Sequence, residues 1–151
     1  MVPMAFPVGA QAPPVHGVDL PGPRALVFYR VTCGVTKMAT PAMERLARAY
    51  PGLVVGVGQD PQTDLDAFAS QHGLSFPQVP DLDPYEASDA YGVMSAPTAF
   101  VVDAGGAVAA VAESWDRPAW NGLSKVLAGL TGRTAVEVSE PGDGLPDFKP
   151  G

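Results

Sequence analysis

The chain carries a single cysteine, Cys33, in the stretch Phe28-Tyr29-Arg30-Val31-Thr32-Cys33-Gly34-Val35-Thr36. An apolar run leads into it and a helical pattern leaves it. A thiol at a helix start faces free backbone N–H groups and the positive end of the helix dipole, which favours the thiolate. Such a thiolate attacks a disulfide sulfur or a peroxide oxygen. Arg30, and Lys37 one helical turn on, add positive potential. Where a Cys-x-x-Cys protein has its second thiol, this chain has Thr36, read either as a hydroxyl that donates to the thiolate or as a small polar residue left where a resolving Cys was lost. With one cysteine there is no disulfide within the monomer. The structural alternative is a small buried hydrophobe, the ordinary fate of a free Cys.

The elements that must position Cys33 read from the pattern on either side. Residues 1–24 hold six prolines, at 3, 7, 13, 14, 21 and 23, and read as an extended arm with one short strand near Val15–Val18. Ala25–Val31 reads as a strand buried on both faces. From Cys33 to Tyr50 a helix is expected, with Met38, Ala42, Leu46 and Ala49 on its inner face and Pro41 inside it. Leu53–Val57 is a second buried strand. Asp60-Pro61 opens a helix with Asp as N-cap and Pro at its first position, ending at Gly73. Phe76–Val79 is a short strand. Asp83-Pro84 and Gly92 repeat the start and stop signals. Thr98–Val102, the turn Asp103-Ala104-Gly105-Gly106 and Ala107–Ala112 form a hairpin. Asp116 caps a last helix that ends before Gly132. From Thr134 the composition turns to Gly, Pro and acidic residues. The expected division is therefore a domain over 1–132 and an irregular C-terminal tail over 133–151. The order β-α-β-α-(β)-α-β-β-α implies an α/β fold, a mixed sheet with helices on both faces.

Bulk properties exclude several classes of function. The 151 residues carry a net charge of −7, and no basic cluster stands out, which argues against nucleic acid as a partner. No run approaches the ~18 apolar residues of a membrane span. The N-terminus lacks a basic, then apolar, leader pattern, so a cytoplasmic protein is the expectation. His16 and His72 are isolated, with no metal-ligand spacing, and neither a metal nor another cofactor is expected. Trp115 and Trp120 read as packing residues. Asp60, Asp64, Asp66, Asp81, Asp83 and Asp89 read as helix caps and a solvated face.

With the elements in order, the motifs resemble the thioredoxin fold, and more narrowly the TlpA-like and AhpC/TSA redoxins, over about residues 8–130. Phe28 to Thr36 stands where these families have a strand followed by W-C-x-x-C, with Thr32 for Trp and Thr36 for the second Cys. Pro41, eight residues past Cys33, matches the proline of their active-site helix. Tyr91-Gly92-Val93-Met94-Ser95-Ala96-Pro97-Thr98-Ala99-Phe100-Val101-Val102-Asp103 resembles their Y-G-V-x-x-x-P-T-x-F-x-x-D segment. Asp60–Tyr91 resembles the redoxin insertion. Cys-Gly-Val-Thr also resembles the Cys-Gly-Phe-Ser of monothiol glutaredoxins, whose other signatures are missing.

The resemblance implies a three-layer thioredoxin-like sandwich with Cys33 as nucleophile. Thr36, Arg30 and Pro97 would support it, and Ala96, Thr32, Gly34 and Val35 would contact substrate. Pro97 would be a cis-proline presenting the backbone of Ala96 to an extended partner. Two departures narrow the chemistry. Thr36 removes the self-resolving dithiol. The peroxiredoxin pattern P-x-x-x-[ST]-x-x-C finds Leu26 and Arg30 at its first two positions. The expected function is a monothiol thiol-disulfide oxidoreductase, or antioxidant redoxin. It would act on a disulfide or peroxide and be resolved by an external thiol of low molecular weight or on a protein. A non-catalytic binding module and a one-Cys hydroperoxide reductase are the alternatives.

Overall fold

The computed structural model describes residues 7–151; the start of the proline-rich arm, with Pro3, lies outside the described residues. The centre is strand β1 (Arg24–Tyr29), five of whose six residues are buried. It runs parallel to β2 (Val54–Gly58), which is parallel to β3 (Gln78–Pro80). On its other side it runs antiparallel to β4 (Thr98–Val102), which forms an antiparallel hairpin with β5 (Val108–Glu113). The sheet order is β3-β2-β1-β4-β5.

Side chains alternate across this sheet, so each strand feeds two cores. Ala25, Val27, Ala99 and Val101 face helix α1 (Gly34–Ala49) and helix α4 (Arg117–Thr131), meeting Met43, Leu46, Trp120, Leu123 and Leu127. Leu26, Phe28, Phe100 and Val102 face the other way, against Val15 of the arm and Ala87 and Tyr91 around helix α3 (Glu86–Ala90). Helix α2 (Gln62–His72) packs Leu65 and Phe68 onto Tyr29. Helices thus cover both faces, as in a thioredoxin-like sandwich. Tyr29 also donates to Gln78 Oε1 at 2.5 Å. The carboxylates Asp60 and Asp66 and, above all, burial push its hydroxyl pKa well above the usual tyrosine value.

Pro41 lies inside α1 without ending it. It cannot donate to the carbonyl of Lys37 four residues back, and Thr40 Oγ1 donates to that oxygen instead, at 2.9 Å. Four local expectations are corrected. No strand forms at Val15–Val18; Val18 N–H turns back to Val15 O, and the arm meets the β4–β5 hairpin around a bridge from Gln11 to Ala107. The third strand starts at Gln78, because Phe76 turns into the core as a buried side chain. Asp60 does not cap α2, whose N-cap is Pro61; its Oδ2 accepts instead from the N–H of Val31, at 2.9 Å. Asp83-Pro84 does not open α3, whose first turn is held by Asp81 accepting from Ala87 N at 3.1 Å and Ser88 N at 2.8 Å.

Beyond α4 the chain folds back over α1 and α4. Val138 is fully buried in the first core. Two short strands, β6 (Trp115–Asp116) and β7 (Phe148–Lys149), pair antiparallel. Arg117, 6% exposed, organises this return. Its guanidinium donates to Ser139 Oγ at 3.0 Å, to Leu145 O at 2.6 Å, and to the carboxylates of Asp143 and Asp147. Trp115 Nε1 donates to Pro146 O at 2.6 Å and Trp120 Nε1 to Ser114 O at 2.9 Å, so both indoles are buried packing groups with their N–H satisfied.

Candidate active site

Because β1 and β4 are antiparallel, the end of one lies beside the start of the other: Phe28 pairs with Thr98. The loop leaving β1 carries Cys33, and the loop entering β4 carries Ala96 and Pro97. The topology alone brings these together. The Ala96–Pro97 peptide bond is cis, and Cys33 Sγ donates to Ala96 O at 3.4 Å.

Cys33 is the N-cap residue of α1, with extended backbone (φ −79°, ψ 122°). An N-cap side chain points at the free N–H groups of the second and third helical residues, here Val35 and Thr36. Partial burial raises the thiol pKa. The N–H and hydroxyl of Thr36, the N–H of Val35 and the charge of Arg30 outweigh it, and the net shift is downward. No acidic residue lies in the first turn of α1 to oppose this.

Thr36 is fully buried, and its Oγ1 has no hydrogen-bond partner. A buried orphan hydroxyl costs ~1–3 kcal/mol. The Thr36 hydroxyl is placed to lower the Cys33 thiol pKa, alongside the N–H groups of Thr36 and Val35.

The remaining predicted residues occupy different parts of the site. Arg30 is exposed; its carbonyl accepts from Cys33 N–H at 3.2 Å, closing the turn that aims the thiol. Thr32 and Gly34 are exposed on either side of Cys33, and a Cβ at Gly34 would meet open space. Val35 is partly buried against the first core. Pro97 is buried, and Ala96 is only 5% exposed. Lys37 is exposed, and the cation acting on the thiol is Arg30. A cleft of about 220 Å³ adjoins the site, lined by Phe28, Arg30, Gln59, Met94 and Ala96 among others. Cys33 touches two of these walls, through Arg30 O and Ala96 O.

Two contributors escaped the sequence reading. Asp60 anchors the loop before Cys33 through the N–H of Val31. An Asp followed by Pro gave a local cap signal, and nothing in the sequence marks a bond across 29 residues. The chain's last residues also reach the site. Gly151 N–H donates to Ser114 Oγ at 3.3 Å, Ser114 Oγ is bonded to Ser95 Oγ at 2.8 Å, and a Cβ on Gly151 would overlap the Ala96 carbonyl oxygen. Among the described residues, no group of three His, Cys, Asp or Glu side chains is placed to hold a metal ion. No helix among them is long and apolar enough to cross a membrane.

A thiol and a cis-proline loop set against each other by antiparallel strands place the molecule in the thioredoxin-like class of redoxins. Within that class the chain belongs to the AhpC/TSA family, whose profile matches residues 11–111. Comparison with curated proteins gives no match. Among solved structures, it is similar to a Chlorobium tepidum protein described as a thiol:disulfide interchange protein DsbE. That pair has 25% identity and a TM-score of 0.65, over 83% of this chain and 99% of that one. It is also similar to a secreted Mycobacterium tuberculosis disulfide oxidoreductase homologous to Escherichia coli DsbE (22% identity, TM-score 0.57, 71% of this chain and 81% of that). A third is the Xanthomonas campestris bacterioferritin comigratory protein, whose structure concerns alkyl peroxide reduction (19% identity, TM-score 0.53, 73% and 80%). The last two likenesses are of fold. The secreted neighbour gives the cytoplasmic expectation no support.

Proposed function

We propose that the protein is a monothiol thiol-disulfide oxidoreductase with Cys33 as its nucleophile. The observation that carries this is the pairing of Cys33 at the cap of α1 with the buried, otherwise unbonded hydroxyl of Thr36. The helix N–H groups, the Thr36 hydroxyl and Arg30 all favour the anion. Cys33 thiolate attacks one sulfur of a substrate disulfide; a new S–S bond forms, the old one breaks, and the other sulfur departs as thiolate. A second, external thiolate then attacks the mixed disulfide. It takes the bound sulfur with it as a new disulfide and returns Cys33 as thiolate. One substrate sulfur is thereby reduced to thiolate, and the external sulfur is oxidised into a mixed disulfide with the other substrate half, which a further external thiol releases. A second thiol must come from outside because Thr36 holds the position of an internal one.

Family membership and the thiol-disulfide interchange protein among its neighbours support the substrate class. The peroxide alternative finds Leu26 and Arg30 in place of the peroxiredoxin proline and hydroxyl. The test is the rate of Cys33 alkylation against pH, followed by mass spectrometry after exposure to a disulfide. Expected are a midpoint below the ~8.5 of an ordinary thiol and one stoichiometric mixed disulfide on Cys33 that an added thiol removes. An ordinary midpoint with no adduct overturns the reading.

A further inference from the structure

Ala96 is the residue whose backbone an extended polypeptide partner would pair with beside Cys33, yet it is only 5% exposed. Lying against its carbonyl is this chain's own Gly151, at the end of segment 148–151. The β6–β7 pairing, with Trp115 opposite Lys149 and Asp116 opposite Phe148, carries the backbone toward the site. The bond from Gly151 N–H to Ser114 Oγ, itself bonded to Ser95 Oγ, then seats Gly151. Only glycine fits this seat, because any Cβ would strike the Ala96 carbonyl. That carbonyl oxygen is the one that accepts from Cys33 Sγ. The segment therefore lies one residue from the reacting sulfur.

The seat is held from a distance. Arg117 N–H donates to Asp147 O at 2.9 Å, its guanidinium engages Leu145, Asp143 and Asp147, and Trp115 Nε1 holds Pro146 O. Gly151 closes the Ala96 carbonyl side, and a cleft of about 220 Å³ walled by Arg30, Gln59, Met94 and Ala96 adjoins Cys33 through its bonds to Arg30 and Ala96. That volume is small beside the ~300–1,000 Å³ of a drug-sized ligand site. Met94, 68% exposed, gives it an apolar lip, and Arg30 gives it a cation.

Resting on the thiol-disulfide reading above, we infer that segment 148–151 is a specificity element: by occupying the Ala96 edge it turns Cys33 away from polypeptide disulfides and toward small disulfides that enter past Arg30 and Met94.

The experiment measures mixed-disulfide formation on Cys33 by mass spectrometry with two probes. These are 2-hydroxyethyl disulfide and a ten-residue peptide disulfide, each normalised to the rate with iodoacetamide. Three full-length proteins are compared: the parent, Gly151→Ala, which adds only the clashing methyl, and Arg117→Met, which releases the anchor. The parent is expected to favour the small disulfide at least tenfold. Gly151→Ala, which leaves the rest of the anchor intact, is expected to raise the peptide rate about fivefold or more. Its iodoacetamide rate should stay within about twofold, and Arg117→Met should act in the same direction. Equal rates for both probes in the parent, or a peptide rate unmoved in Gly151→Ala, overturn the inference while the thiol-disulfide reading stands. No adduct with either probe on any of the three proteins overturns both.

Discussion

Thr36 and Arg117 are both polar side chains taken almost wholly out of water, and they are treated in opposite ways. Every part of the Arg117 guanidinium has a partner: Nε on Ser139, one terminal nitrogen on Asp147, the other on Leu145 O and Asp143. Thr36 Oγ1, fully buried, has none. Satisfied buried polar groups fix structure, while an unsatisfied one is a standing cost that persists where some other state of the site uses it. Under the proposed function, that state at Thr36 is the ionised Cys33. The difference separates a region built for stability from one built for a change of charge.

The comparison is sharpened first at the sulfur. Cys33→Ser is expected to abolish every covalent adduct, read by intact mass. Stability should change by no more than about 0.5 kcal/mol, because serine is itself a good N-cap. Arg117→Met comes next. Losing charged hydrogen bonds to partners left in place is expected to cost about 2–3 kcal/mol in urea denaturation and to speed amide exchange at Val138 and Ser139. Acid reaches the same region by another route. The Leu145 N–H and the Ser139 hydroxyl, with the Glu140 N–H and Arg45, hold the Asp143 pKa at about 2. Since that lies below the ~3.9 of an unfolded aspartate, its support for the return segment is complete above about pH 4. It is lost as pH falls toward 2, and amide exchange across 139–147 tracks the loss.

Thr36→Val should do the reverse of Arg117→Met. The alkylation midpoint moves up and the rate at pH 7 falls. Stability holds or rises by about 1 kcal/mol, because no bond is lost. Thr36→Ser should restore the parent pH profile. A Thr36→Val protein that is destabilised with an unchanged profile would erase the distinction between the two regions. The smallest effect is expected at Tyr50, whose hydroxyl donates to Ser124 O at 2.7 Å in the shared core. Tyr50→Phe should cost about 1 kcal/mol and leave Cys33 reactivity unchanged.

The elements legible in the sequence are those whose stability is periodic or local. Val27 and Phe28 sit in a run that only a central strand buries. Asp116 caps α4 by accepting from Ala119 N at 3.2 Å, three residues on. Gly73 and Gly132 end α2 and α4 in the left-handed conformation, as glycine stop signals do. What the sequence hides is long-range bonding by residues with a plausible local use. Asp60 looks like the cap of the helix that follows it and instead reaches back to Val31. Asp83 has the right neighbour for a cap, but Asp81 does the work because its carboxylate is the buried one. The return segment shows no apolar period, because polar side chains of α1 and α4 hold most of it: Arg45 on Val138 O and Asp143, Asn121 on 138–139, and Arg117 on Ser139, Asp143, Leu145 and Asp147. Its approach to Ala96 depends on a glycine that reads, in isolation, as an ordinary coil residue.

The capping role of Cys33 has a consequence for the second half of a catalytic cycle. The N–H groups of Val35 and Thr36 stabilise a sulfur anion but have little to offer a disulfide sulfur. Once Cys33 is bonded to another sulfur, the start of α1 loses its best-matched acceptor, and recovering it favours breaking that bond at the Cys33 side. A sulfur with a lowered pKa is also the better leaving group. In the proposed cycle, the helix that favours attack by Cys33 would also favour its departure, making the covalently occupied site the shorter-lived state.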